Sequence, residues 1–273
     1  METQVQAYLT ATRFSLLEHA RNRFAVGLLL IFVPLWYWLL GLTVGNISLV
    51  FRFGATGKLI TVNGYHLVLL STGLNTITLI TGFTLFAATR SGARFDRRLI
   101  LSGYAQLVLL LAKMTALVAV AALVALYATL VLLVFWRPEG LALIWVAYFL
   151  GALIYGALGL LFGVLLKSEL AGFFLIIMIS LMDTFFQNPF ENPFANKPFL
   201  QWFPSYAPTQ YAVAGAFTAD RLWWPIGVSL LWFVGLALMG LAIFWLRTRA
   251  WNRNMVHMAG HTTSSGTPQP VSA

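Results

Sequence analysis

The chain alternates long apolar runs with short polar connections. The runs cover about 25–46, 65–89, 114–136, 141–166, 170–188 and 222–246. A helix of about 20 apolar residues crosses a hydrocarbon layer of about 30 Å, so the pattern predicts six spanning helices. Five runs contain no Asp, Glu, Lys or Arg. The fifth, "LAGFFLIIMISLMDTFFQ", is interrupted by Asp183. Leu170 to Met182 is 13 residues, about 20 Å of helix. That length does not cross the layer, so Asp183 is expected in or near its outer half.

The polar flanks predict further elements. In "VQAYLTATRFSLLEHARNRF", Val5, Leu9, Leu16, Ala20 and Phe24 share one helical face. Arg13 and Arg23 interrupt it with stems long enough to snorkel, so residues 1–23 read as an interfacial helix. The stretch 97–113, "RRLILSGYAQLVLLLAK", reads as a short surface helix that offers Leu99, Tyr104 and Leu107 before a third span starting near Met114. Residues 187–221 hold five prolines and many aromatics, which predicts short helical pieces dipping into the outer leaflet. The tail, 251–273, is low in complexity and expected to be disordered. A six-span domain over 24–250 lies between leader and tail.

Composition supports a lipid environment. The chain is 60% hydrophobic and 9% charged, whereas soluble domains carry about a quarter charged residues. The net charge of +9 does not argue for nucleic acid, because the basic residues flank apolar runs instead of forming one face. Arg13, Arg21, Arg23, Arg90, Arg94, Arg97, Arg98, Lys113, Lys167, Arg247, Arg249 and Arg253 fall on one side of the six-span layout. Arg52, Lys58, Arg137, Lys197 and Arg221 fall on the other. The positive-inside bias then predicts a multi-pass membrane protein with both termini cytoplasmic. No cleavable signal peptide is expected, since the first apolar run is too long for one. The sequence has no cysteine, hence no disulfide or thiolate chemistry.

Candidate chemistry is sparse. Ser71, Asn75, Thr78 and Thr81 lie along one face of the second span, suited either to a pathway lining or to a helix contact. Asp183, with Phe185 and Phe186 beside it, is the one acid placed within a span. It could meet a cationic amphiphile, pair with an arginine or cap the turn that follows. Gly159 and Gly163 form a GxxxG pair for close helix packing. The four histidines are scattered, so no metal site is expected. "FGATGKL" contains Gly57-Lys58, but a phosphate loop needs glycine where Arg52 stands and a hydroxyl where Leu59 stands. No catalytic set is visible, and the chain is not expected to be an enzyme.

An interfacial leader, six spans, a charged element before span three and a Pro/aromatic segment before span six occur here in one order. That order resembles the membrane subunit of ABC transporters, of the type-2 exporter permease family. "FDRRLILSGYAQLVLLLAK" resembles the family's coupling segment, and "FPSYAPTQYAVAGAF" resembles its proline-containing run before the last span. The usual glutamate of the first motif is absent, Asp96 stands one residue before Arg97, and Ala112 replaces the glycine before the lysine. The resemblance implies that Asp96, Arg97, Arg98, Leu99, Ser102 and Tyr104 dock on a separate cytoplasmic ATPase, present in two copies, which holds ATP and Mg. It also implies a bacterial plasma membrane, a second permease chain, the same or similar, and export of an amphiphilic or hydrophobic compound such as a drug, antibiotic or lipid. The alternatives are a secondary transporter and a non-transporting membrane assembly factor.

Overall fold

The computed structural model describes residues 2–188, 197–218 and 220–243. Helix α1 (Glu2–Arg21) leads into α2 (Arg23–Thr43). A two-stranded hairpin follows, β1 (Ser48–Arg52) and β2 (Leu59–Asn63), then α3 (Gly64–Leu101), α4 (Gln106–Phe135), α5 (Leu141–Leu165) and α6 (Glu169–Gln187). A 3₁₀ turn, Pro198–Trp202, precedes α7 (Tyr206–Val213), which loosens into a π-turn over Ala214–Thr218. Among the described residues the last helix is α8 (Trp224–Ile243), and six helices, α2 to α6 and α8, are long and apolar enough to cross a membrane. The protein is an all-α multi-pass membrane protein with one small hairpin. The proposed tail, 251–273, lies outside the described residues.

The expected short helix over 97–113 does not exist as a separate element. Helix α3 runs unbroken through Arg97 to Leu101, and Gln106–Lys113 are the first turns of α4. Residues 89–101 contain no proline, so nothing stops the helix as it leaves the apolar run. It stops at Ser102-Gly103, where Gly103 takes a left-handed φ of 92°. The Tyr104 N–H donates to Leu99 O at 3.0 Å and the Gly103 N–H to Ile100 O at 3.1 Å. These two bonds form a Schellman cap, and only glycine adopts its left-handed position without strain.

The hairpin is not visible as a span or surface helix. Ser48 pairs with Asn63 and Arg52 with Leu59 in antiparallel register. Its turn is the Gly57-Lys58 segment. Gly57 has a φ of 70°, its N–H donates to Phe53 O at 2.7 Å, and the Phe53 N–H donates to Lys58 O at 2.8 Å. A sequence that superficially suggests a phosphate loop is therefore a glycine-closed strand turn. Asn63 then caps α3, its side chain accepting the Tyr65 N–H at 2.9 Å.

Helix α3 is the axis of the bundle. Within its spanning window 89% of residues are buried, against 11% for α2 and for α8. It packs on α5 at backbone distance. A Cβ on Gly159 would lie 2.3 Å from Gly82 O, and one on Gly163 would lie 2.6 Å from Thr89 Cβ. Small residues permit this approach, and dispersion contacts hold helices together where lipid is as apolar as leucine. Tyr148 of α5 also donates to Leu70 O at 3.0 Å and meets Tyr37 of α2 at 3.1 Å.

Connections gather at two ends. At one, Gln210 of α7 accepts the Ala55 N–H of the hairpin turn at 3.0 Å, and Gly140 lies against Gly215. At the other, α1 crosses the start of α4, with Tyr8 and Thr115 joined at 2.6 Å. Val5 and Leu9 of α1 remain exposed.

Replacing Gly159 by Ala should force α3 and α5 apart and cost roughly 1–3 kcal/mol. Gly227 of α8, with nothing within 4 Å of a built Cβ, should accept Ala without loss. Thermal unfolding in detergent compares the two.

Candidate functional site

Helix α6 buries Gly172, Ile176, Ser180, Asp183 and Gln187, a single stripe at helical spacing. The stripe is apolar in its first half and polar in its second. Asp183 is 0% exposed. Its Oδ2 accepts the Tyr155 hydroxyl of α5 at 2.6 Å and the Ser205 backbone N–H at 2.8 Å. The Gln187 amide reaches Oδ1 at 3.4 Å and Leu200 O at 3.1 Å. Ser205 is the residue before α7, so the carboxylate sits at the positive end of that short helix.

Of the three roles open to Asp183, the geometry is that of a cap on the segment that follows. Among the described residues no Lys, Arg or His pairs with it. Tyr155, Ser180 and Ser205 belong to this site and are not legible as candidates in the sequence, whereas Gln187 stands a helical turn after Asp183 and is visible beside it.

The polar face of α3 meets the same helix. Asn75 Nδ2 donates to Ser180 O at 3.3 Å, and the Thr78 and Ser180 hydroxyls meet at 2.8 Å. Ser71 donates to Leu67 O at 3.0 Å and Thr81 to Ile77 O at 2.7 Å. All four residues are buried. In this single chain they make helix contacts and backbone bonds, and they do not border an open passage. Phe185 points away and is exposed, whereas Phe186 stands edge-on to Phe203 at 5.9 Å. The seven candidate pathway residues thus divide into a buried polar seam and an outer aromatic pair.

The basic end is braced from three directions. Asp96 is buried and forms an ion pair with Lys113 of α4. Arg90 grips the α5–α6 connection through Leu166 O and, at 2.8 Å, Lys167 O, with Glu169 at 3.9 Å. The Tyr104 hydroxyl donates to Ala7 O of α1, and the Ser91 hydroxyl to Glu18 at 3.2 Å. Ser102 turns back on Leu99 O at 2.8 Å. Arg98 and Ser102 are exposed and Leu99 is half-buried. The backbone of Arg97 lies in α3 between Asp96 and Arg98. Sequence reasoning grouped these residues as one docking face. The structure turns Asp96 and Tyr104 inward as braces and leaves Arg98 and Ser102 outward.

Neither a protein-family model nor a curated relative matches this sequence.

Asp183→Leu should strand the Tyr155 hydroxyl and the Ser205 N–H, at roughly 1–3 kcal/mol for each group left unpaired. Asp183→Asn keeps an acceptor and should cost less. Tyr155→Phe should be costly in the wild type and nearly neutral in the D183L background. A double-mutant cycle on unfolding in detergent reads the coupling; additive losses would refute the shared bond.

Proposed function

We propose that this chain is the membrane-spanning permease subunit of an ATP-driven exporter of the ABC type. It would pair with a second permease chain, the same or similar, and move an amphiphilic or hydrophobic compound out of the cell. Two copies of a separate ATPase subunit would supply the energy. The chain itself carries no ATPase role in this reading, and its Gly57-Lys58 segment is the hairpin turn.

The observation that supports the reading best is the continuity of α3. One helix joins the hairpin end of the molecule to the exposed Arg98 turn, over 38 residues, about 57 Å at 1.5 Å per residue. A force on the turn after Leu101 would travel along a rigid rod without an intervening hinge. The rod is bonded to α6 at Asn75 and Thr78. Helix α6 in turn holds α7 through Asp183 and Ser205. A push at the basic end would thereby reach the outer segment through α3 and α6 (a chain of contacts, each with a named bond). The exposed charge at Arg98 suits steering and docking of a protein partner.

A secondary transporter is the rival reading. It would use Asp183 as an ion or proton site and would need no ATPase. Asp183 is instead occupied by neutral donors and by a helix terminus. An assembly factor would need neither a partner ATPase nor cargo.

Purification of the tagged full-length chain from its native membrane should bring down an ATPase with a GxxxxGK[ST] loop. Cargo-stimulated hydrolysis by the pair should fall about tenfold or more with R97E/R98E. Arg52→Glu, at the hairpin end, should leave it unchanged. Transport in vesicles by this chain alone would overturn the proposal. Cysteine placed at Ser102 should label only from the cytoplasm, and cysteine at Thr56 only from outside.

A further inference from the structure

A partly open cavity of about 620 Å³ lies at the basic end of the bundle, between α3, α4, α5 and α8. Its volume is in the range of sites that hold small molecules, about 300–1,000 Å³. Leu109, Leu160, Leu161, Leu236 and Leu241 supply much of its wall. Arg90, Lys113 and Lys167 stand on its lining with the single acid Asp96. Asp96 is committed to Lys113. Arg90 donates to two backbone carbonyls and lies 3.9 Å from Glu169, an exposed acid outside the lining. Lys167 is exposed. The cavity therefore combines a leucine interior with three cations against two acids, Asp96 and Glu169, a positive surplus centred on Lys167.

We infer that this cavity binds an anionic phospholipid of the adjacent leaflet, with the phosphate between Arg90 and Lys167 and an acyl chain along the leucine wall. Among the described residues no Phe, Tyr, Trp or His lines the cavity, so they offer no ring on which a nucleobase could stack. The wall suits methylene groups, each of which gains by leaving water. Basic pockets between spanning helices recur as sites for acidic lipid head groups. The lipid would fill the space left beside the point where α8 touches α5, at which a Cβ on Gly240 would lie 3.8 Å from Leu161 Cα. It would also steady the segment carrying Asp96. The inference needs only that the basic end sits in a leaflet, and it stands apart from the transport proposal.

Native mass spectrometry of the full-length protein in mild detergent tests it, with phosphatidylglycerol and phosphatidylcholine titrated separately. Phosphatidylglycerol should be retained about tenfold more strongly than phosphatidylcholine, the combined effect of two cations. Lys167→Gln should reduce its retention about fivefold and Lys167→Arg should preserve it. Ala237→Trp should fill the cavity and reduce retention of both lipids. If that variant fails to fold, Gly240→Leu occupies the same space. Lys58→Gln at the hairpin turn should change nothing. Equal retention of the two lipids, or retention unaffected by both the Lys167 and the cavity-filling changes, overturns the inference. Displacement of the bound lipid by millimolar inorganic phosphate would reveal a plain anion site and overturn it too. So would a dimer that the cavity-filling change converts to monomer without altering lipid retention, since the cavity would then be a contact between copies.

Discussion

In hydrocarbon there is no water to rescue a polar group, and each one left alone costs several kcal/mol. The segment after α6 must therefore find partners inside the chain if it is to lie at membrane depth. Asp183 supplies them at the start of α7, where N–H groups have no helical acceptor. Its Oδ2 takes both the Ser205 N–H and the Tyr155 hydroxyl. One carboxylate thereby ties α5, α6 and α7 together. The hairpin turn then rests on α7 through Gln210, so the hairpin end of the bundle is tied to this node.

The same constraint explains the seam between α3 and α6. Serine and threonine are tolerated in a span because they bond their own backbone, as Ser71, Thr81 and Thr84 do. Asn75 cannot satisfy its amide that way and reaches Ser180 O. Apolar packing alone would let α6 rotate about its axis. The bonds at Ser180 and Asp183 select one orientation, because any other would bury them unpaired. Along the same stripe α3 touches α5 through glycines, and Gly82 faces both Ile176 of α6 and Tyr155 of α5, which fixes separation where the polar bonds fix rotation. One face of α3 is thereby held against two helices, by polar bonds to α6 and by backbone contact with α5.

The basic end obeys different physics. There Asp96 is buried against Lys113, and Arg90 and Tyr104 are held by backbone carbonyls. Surface ion pairs contribute little on their own. Here they matter by geometry, since Arg90 joins α3 to the α5–α6 connection and Tyr104 joins the turn to α1. The charge that remains outward at Arg98 is available to another molecule. The cations lining the cavity have a wall of leucines behind them.

Length and polarity alone determined the six spans, their order and the polar positions within them. Hydrocarbon thickness sets helix length, and a run of 20 apolar residues has few other stable environments. The hairpin is not legible in the sequence because its strands are five residues each and their alternation is brief beside the helical runs. The end of α3 is not legible from charge, which marks where a helix leaves the membrane, whereas the glycine at 103 decides where it stops. Which roles the polar residues play was decided by tertiary structure. Asp183, Asn75 and Thr78 look alike as polar intrusions in apolar runs. Their use as a cap and a seam follows from partners more than 20 residues away, at Ser205 and Ser180, and spacing along one helix carries no information about what faces it.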